Sequence, residues 1–215
     1  MSRDKTRSHA HASPRGEPVR QRVLDAAERL LRQGKAGFSM RDLAAEAGVS
    51  FATPFNQFGS KAAIMLALSG RRIDLMIRRL AEAPPPVRAT DRVMLAIDTA
   101  VAVMLAEPEV NRAVMGWIGA ASATPGHVLT HSTALWASAL AAGDDAVLEE
   151  QIGKQGGLAE QLAFAFRGVL SFWAARELED EELAPRARAI AASLLLGCPG
   201  AQPVPGPGSR EPDNG

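Results

Sequence analysis

Apolar side chains recur with a helical period along most of the chain. One predicted helix carries them at the spacing i, i+1, i+4, i+7 and i+8, on Val23, Leu24, Ala27, Leu30 and Leu31. Two later segments repeat this kind of stripe, the first on Leu158, Leu162, Ala165, Phe166, Val169, Leu170 and Trp173, the second on Leu183, Ala187, Ile190, Ala191 and Leu194. Because strands require a period of two, which no segment shows convincingly, the pattern predicts an all-α protein.

Glycine and proline divide this helical material. The first helix is expected to end near Gly34, and a long helix runs from Lys61 to about Ala83, where three prolines stop it. Thr90 or Asp91 can cap the next helix, which continues through Ala106. Later helices are predicted to start at Pro108 and to span "HVLTHSTALWASALAA", followed by a loop around residues 143–145 and by "EEQIGKQGG", whose structure the pattern leaves open.

Residues 39–58 have the spacing of a helix-turn-helix. Ser39 and Asp42 resemble a capping box, Gly48 can end that short helix, and the four residues "AGVS" lead to a second one capped by Ser50. A cap at Ser50 places Pro54 at the fourth helical position, so a start nearer Ala52 would relieve its ring. The predicted small core contains Leu43, Ala44, Val49, Phe55 and Phe58.

Polar residues on the second short helix suggest base recognition. Asparagine and glutamine can bind adenine edges in the major groove, and a threonine methyl can contact thymine. Phe51, Thr53, Asn56 and Gln57 are left without a core to enter. Alternatively, these are ordinary surface residues of a helical bundle.

The formal net charge of zero hides an asymmetric distribution. Residues 1–80 contain 15 Lys and Arg against 7 Asp and Glu, whereas residues 81–215 contain 9 against 17. A basic amino-terminal part indicates a polyanionic partner such as nucleic acid or an anionic membrane, unless the division is accidental.

The segment "VLDAAERLLRQGKAGFSMRDLAAEAGVSFATPFNQFGSKAAIMLAL" resembles the amino-terminal domain of the TetR family of transcriptional regulators over residues 17–77. The resemblance implies a symmetric dimer, a DNA-contacting motif at residues 40–59 and a helical effector-binding body whose last two helices form the dimer interface. The chain departs from the family where Gly-Thr-Leu-Tyr is common, because it has Ala52, Thr53, Pro54 and Phe55 and therefore lacks the tyrosine hydroxyl.

These arguments give the following organisation. We predict a disordered basic arm (1–16), a helix-turn-helix DNA-binding domain (17–77), an effector-binding and dimerisation domain (78–197) and a disordered tail (198–215). The predicted DNA contacts, to bases or phosphates of a palindromic operator, are Arg20, Arg22, Ser39, Arg41, Ser50, Thr53, Phe55, Asn56, Gln57 and Lys61.

Soft and aromatic residues on the middle helices are candidates for an effector pocket. The predicted lining is Met104, Met115, Trp117, His127, His131 and Trp136. Most such residues are core in proteins generally, and the paired histidines, four residues apart, are favoured as pocket or surface groups over metal ligands because a third ligand is missing. No charged side chain dominates the region, which predicts a largely apolar effector.

Other classes of protein find little support. The sequence lacks a nucleophile elbow, a phosphate-binding lysine loop and a dinucleotide fingerprint, so no enzyme activity, metal or cofactor is predicted. The lone Cys198 excludes an internal disulfide, and without an 18-residue apolar stretch or a secretory segment we expect a cytoplasmic protein away from the membrane. We predict a dimeric regulator, a repressor released by a small molecule. The alternative is a helical adaptor that binds no specific DNA.

Overall fold

A computed structural model describes residues 17–118, 127–141 and 157–196. All secondary structure in these ranges is helical, so the predicted all-α class is confirmed. The helices are α1 (Glu17–Arg32), α2 (Met40–Ala47), α3 (Ala52–Phe58), α4 (Lys61–Glu82), α5 (Ala89–Ala106), α6 (Pro108–Ile118), α7 (His127–Ala141), α8 (Leu158–Ala174) and α9 (Asp180–Leu196). The predicted arm, tail and Cys198, and the segments at 143–145 and 149–156, lie outside the described residues.

Helix α4 is the physical connection between two clusters of buried side chains. Its first half contributes Ile64, Met65 and Leu68 to an amino-terminal core with α1 and α2. Its second half contributes Ile73 and Met76 to the core of the body, which α5, α7, α8 and α9 complete. A movement of α4 would therefore change the packing in both clusters.

Helix α6 also joins the two parts. Val110 and Val114 lie in the amino-terminal core, whereas Met115, the next residue, belongs to the body core. The helix packs against both α1 and α4. A helix that belongs, in sequence, to the body therefore contributes to the amino-terminal core.

Two expectations about local structure were wrong. Phe55 was assigned to the small core of the helix-turn-helix, yet 42% of its surface is exposed, and Pro54 is buried instead. Helix α5 starts at Ala89 and its N-cap, Arg88, makes no side-chain capping bond, so neither Thr90 nor Asp91 caps it. The first difference follows from the helical period: Pro54 and Phe58, four residues apart, share the inward face of α3, and Phe55 is rotated by about 100° from Pro54 toward solvent.

Candidate functional site

The turn between α2 and α3 is fixed by contacts among near neighbours. Ser39 accepts a hydrogen bond from the Asp42 backbone N–H, and the Asp42 carboxylate accepts one from the Ser39 N–H, which confirms the capping box. The Ser39 N–H and the Ser39 hydroxyl both donate to the Asp42 carboxylate and hold the pKa of Asp42 below its ordinary value. Gly48 ends α2 at φ 63°, a conformation that glycine adopts without strain, and the Val49 N–H donates to the Ala44 carbonyl. The angle between the helices is therefore encoded locally.

Helix α3 starts in a way that accommodates its proline. Its first residue is Ala52, as the alternative start predicted, so Pro54 lies in the first turn. Proline has no N–H to donate, and the Ser50 carbonyl instead accepts from the Thr53 N–H at 2.9 Å. The Ser50 and Thr53 hydroxyls share a second hydrogen bond at 2.7 Å. The predicted cap at Ser50 was therefore wrong: the N-cap is Phe51, and Ser50 stabilises the helix start from the position before it.

The outer face of α3 presents two aromatic rings and an amide. Phe51 is 54% exposed and packs edge-on against Phe55, with 5.6 Å between ring centroids. The Arg41 guanidinium lies 5.6 Å from the Phe51 ring, and Asn56 is exposed on the next turn. Such rings can contact thymine methyl groups or sugars, while the amide can pair with a base edge. The exposed face of this one helix therefore offers both apolar and polar groups, and a single helix fits into a major groove.

Arg20 and Lys61, two predicted DNA contacts, make protein contacts in the structure. Arg20 Nη1 donates to the Gln57 carbonyl at 3.0 Å, and its guanidinium lies 4.2 Å from the Phe58 ring centroid. Lys61 Nζ donates to the carbonyls of Ala36 and Phe38 at 2.7 and 2.8 Å. Partial burial lowers the pKa of Lys61. Both side chains brace the motif, so a DNA contact would compete with these hydrogen bonds.

The other predicted DNA contacts form an open surface. Ser39, Arg41, Ser50 and Arg22 are exposed, and Thr53 and Gln57 are half-buried beside them. The hydroxyls of Ser39, Ser50 and Thr53 are already hydrogen-bonded within the motif. Contact with DNA by each of these residues stays a prediction.

Comparison with known proteins agrees with this geometry. Residues 23–68 match the sequence model of the bacterial regulatory proteins of the tetR family. The amino-terminal domain belongs to the TetR family. The match contains α2, the turn, α3 and the parts of α1 and α4 that enclose them. Membership implies DNA binding and dimerisation.

Solved structures extend the similarity of fold beyond the TetR domain. A TetR transcriptional regulator from Rhodococcus sp. RHA1 superposes with a TM-score of 0.69 at 21% identity, over 84% of this chain and 97% of that one. A putative transcriptional regulator from Streptomyces coelicolor A3(2) gives 0.51 at 20% identity, over 90% and 100%. A search of curated protein sequences found no match. At these identities the similarity shows a shared fold over most of the chain.

A cavity of about 50 Å³ lies among α4, α5, α6, α7 and α8 in the body. Met104, Met115 and Trp136, three predicted pocket residues, line it. The other three lie elsewhere: Trp117 packs over Lys61, His127 is exposed, and His131 contacts Asp74 at 2.9 Å. Helix periodicity identified the soft residues of these helices but could not show which ones share a space.

The sequence argument missed two arginines at this cavity. Arg72 and Arg167 both line it, together with the buried Asn111. Arg72 is neutralised by Glu28 at 2.9 Å and by Glu107 at 3.2 Å. Arg167 has a different environment, because its one polar contact within the described chain is the Met115 sulfur at 3.9 Å. Arg167 was not predicted because it lies on α8, whereas the sequence predicts the pocket on the middle helices and a dimer interface on the last two.

Arg72 also joins the cavity to α1. Its Nε donates to the Asn111 side chain at 2.8 Å inside the body, and its Nη1 donates to Glu28 on α1. Arg32, another α1 residue, pairs with Glu107, and this hydrogen bond holds the pKa of Glu107 below its ordinary value. One ionic cluster therefore connects the cavity wall with the first helix of the TetR domain.

The described ranges were also compared with what a membrane span and a metal site require. None of their helices is long and apolar enough to cross a membrane. Within those ranges no group of three His, Cys, Asp or Glu side chains is placed to hold a metal ion. The rings of His127 and His131 are 5.9 Å apart, but the described partner of His131 is the Asp74 carboxylate.

Proposed function

We propose that the protein is a dimeric, sequence-specific DNA-binding transcription regulator, and that it acts as a repressor released by a small molecule. The observation that carries the proposal is the outward face of α3, with Phe51, Phe55 and Asn56 exposed, within a sequence that matches the TetR family. In this proposal residues 17–77 bind DNA and residues 78–197 bind the effector and form the dimer.

The dimer is supported by an apolar surface on α8 and α9. Phe164, Phe172 and Ile190 are 57%, 55% and 43% exposed, and Gly168 and Val169 lie in the groove between the two helices. Exposed side chains of this size are costly in water and favour a partner surface. A second copy of the same two helices would cover them and place the two α3 helices on successive major grooves.

Effector release is supported by the position of Arg72. A ligand in the cavity that contacts Arg72 or Asn111 would compete with their hydrogen bonds to each other and disturb the pairing with Glu28. Because Glu28 belongs to α1, the loss of this pairing would destabilise the present position of α1 in the TetR domain. The expected consequence is a changed distance between the two α3 helices.

The test of DNA recognition is a binding isotherm of the full chain on its own upstream region at two salt concentrations. Asn56→Ala is expected to weaken binding to the preferred sequence by about tenfold, the loss of about 1–3 kcal/mol typical for a base contact. Arg22→Ala should weaken binding to all sequences and reduce the salt dependence. Gln33→Ala removes an exposed amide from the end of α1 and is the matched control.

Equal binding by the wild type to all sequences, or an Asn56 variant identical to the control, would contradict base recognition. The helical adaptor would then become the better interpretation. Dimerisation is tested separately by sedimentation of Phe172→Glu, which should be monomeric at micromolar concentration. Val87→Glu, at a 90% exposed apolar position in the connector before α5, should leave the dimer intact.

A further inference from the structure

Among the described residues, the cavity in the body has one arginine, Arg167, with no carboxylate partner. Arg167 lies on the face of α8 formed by Ala163, Phe166 and Leu170, all of which line the cavity. The opposite face of α8, with Phe164 and Phe172, lies in the groove assigned to the dimer. Arg167 therefore faces the interior of its own subunit.

The surroundings of Arg167 are apolar. Met115, Trp136 and Phe166 share the cavity with it, and the Trp136 and Phe166 rings pack edge-on at 5.3 Å. Burial lowers the pKa of Arg167 from its ordinary value, which reflects the cost of holding its charge away from water. Arginine remains charged at neutral pH, so that cost is not relieved by loss of the proton.

Arg72, in the same cavity, is an arginine whose charge is neutralised by carboxylates. It has two carboxylate partners, Glu28 and Glu107, and an amide partner, Asn111. No acidic side chain is among the described residues that line the cavity, so none of them neutralises Arg167. A partly buried guanidinium with no carboxylate partner among the described residues is unfavourable, and an anionic ligand would reduce that penalty.

We propose that the effector of this regulator is a small organic carboxylate with an apolar or aromatic body, held by Arg167. The planar guanidinium can bind a carboxylate through two parallel hydrogen bonds. The cavity of about 50 Å³ is smaller than such a ligand, so binding requires the flexible side chains of Met76, Met104 and Met115 to move apart around its apolar part. This inference depends on the proposed function, and it replaces the largely apolar effector that the sequence predicted.

The test compares three probes that share one body and differ in charge: 3-phenylpropionate, 3-phenylpropanol and 3-phenylpropylamine. Calorimetric titration of the full-length wild type is expected to give a Kd for the acid at least tenfold below that of the alcohol, with no binding of the amine. Arg167→Met should weaken the acid by at least tenfold and leave the alcohol unchanged or improved. Arg167→Lys should recover part of the loss because it restores the charge.

Arg78→Met is the matched control, since it removes an exposed arginine from α4, the same helix that supplies Met76 to the cavity. It should bind all three probes like the wild type. Thermal melts of each variant establish that it is folded. Equal affinity of the wild type for acid and alcohol, no binding of any probe, or an acid preference that survives in Arg167→Met would overturn the proposal.

The same preparations are titrated with the upstream DNA, which separates the two proposals. Specific DNA binding without a carboxylate preference would overturn the ligand assignment and leave the regulator intact. A carboxylate preference that depends on Arg167, without specific DNA binding, would support the ligand site and overturn the regulator. Weaker DNA binding when the acid is present, seen in the wild type and lost in Arg167→Met, would support both.

Discussion

The ion pair between Arg72 and Glu28 is predicted to couple the body to the TetR domain energetically. Both side chains are nearly buried, with exposed fractions of 12% and 11%, and Arg72 Nη1 lies 2.9 Å from Glu28 Oε1. The perturbation is a double-mutant cycle of Arg72→Met and Glu28→Gln. Methionine keeps most of the length and apolar character of the arginine stem, so the change removes charge more than volume.

The expected magnitude follows from the partners that remain. Removing one member of a buried pair costs about 3–5 kcal/mol when the other is left without compensation. Here Glu28 retains Arg32 at 3.5 Å and Arg71 at 3.8 Å. We therefore expect Arg72→Met to lower the free energy of unfolding by about 2–3 kcal/mol, and Glu28→Gln by about 1–2 kcal/mol, because Arg72 keeps its bond to Glu107.

The assay is urea unfolding of the four proteins at fixed concentration, with thermal melts beside it. Arg72→Met should lower Tm by about 5–10 °C, given about 2–4 °C per kcal/mol for a chain of this size. The coupling energy of the cycle should be about 1–2 kcal/mol. Arg88→Met is the control, because its ion pair with Asp91 is exposed, lies outside this cluster and should contribute at most about 1 kcal/mol. A coupling energy near zero would refute the reasoning, and α1 would then be held by its apolar contacts alone.

Three further changes test other parts of the structure. Arg92 is 2% exposed and donates to the carbonyls of Ala139 and Leu140 at the end of α7, so Arg92→Met should destabilise the fold by about 2–4 kcal/mol in urea unfolding, and a loss within error would contradict this capping role. Gly48 has a left-handed backbone and open space at its Cβ, so Gly48→Ala should cost about 1–2 kcal/mol by the same assay, from strain alone, and no cost would mean that the turn relaxes. The pKa of Glu107 is lowered in the folded state, so its contribution to stability is complete above the ordinary carboxyl pKa and is lost as the pH falls through the folded value; Glu107→Gln should flatten the stability profile in acid, and an unchanged slope would contradict the pairing.

The local features of the DNA-binding motif were predictable because they depend on residues a few positions apart. The capping box of Ser39 and Asp42, the left-handed Gly48 and the end of α4 before the prolines all follow from such contacts. The shift of the α3 start to Ala52 was also predictable, since it depends only on the missing N–H of Pro54. Periodicity correctly gave the helical class for the same reason.

The sequence by itself determined the helical class, most helix ends, though not the start of α5, and which family the amino-terminal domain resembles. Only the tertiary structure decided which side chains meet: it gave Lys61 two backbone carbonyls for partners, exposed Phe55 and collected Met104, Met115 and Trp136 around one cavity while leaving Trp117 outside. The physical reason is that a helical period fixes the face of each residue but not the rotation of one helix against another. Arg167 and Arg72 show the consequence, because α8 and α4 bring to the same cavity, from positions 95 residues apart, one arginine with two carboxylate partners and one with none among the described residues.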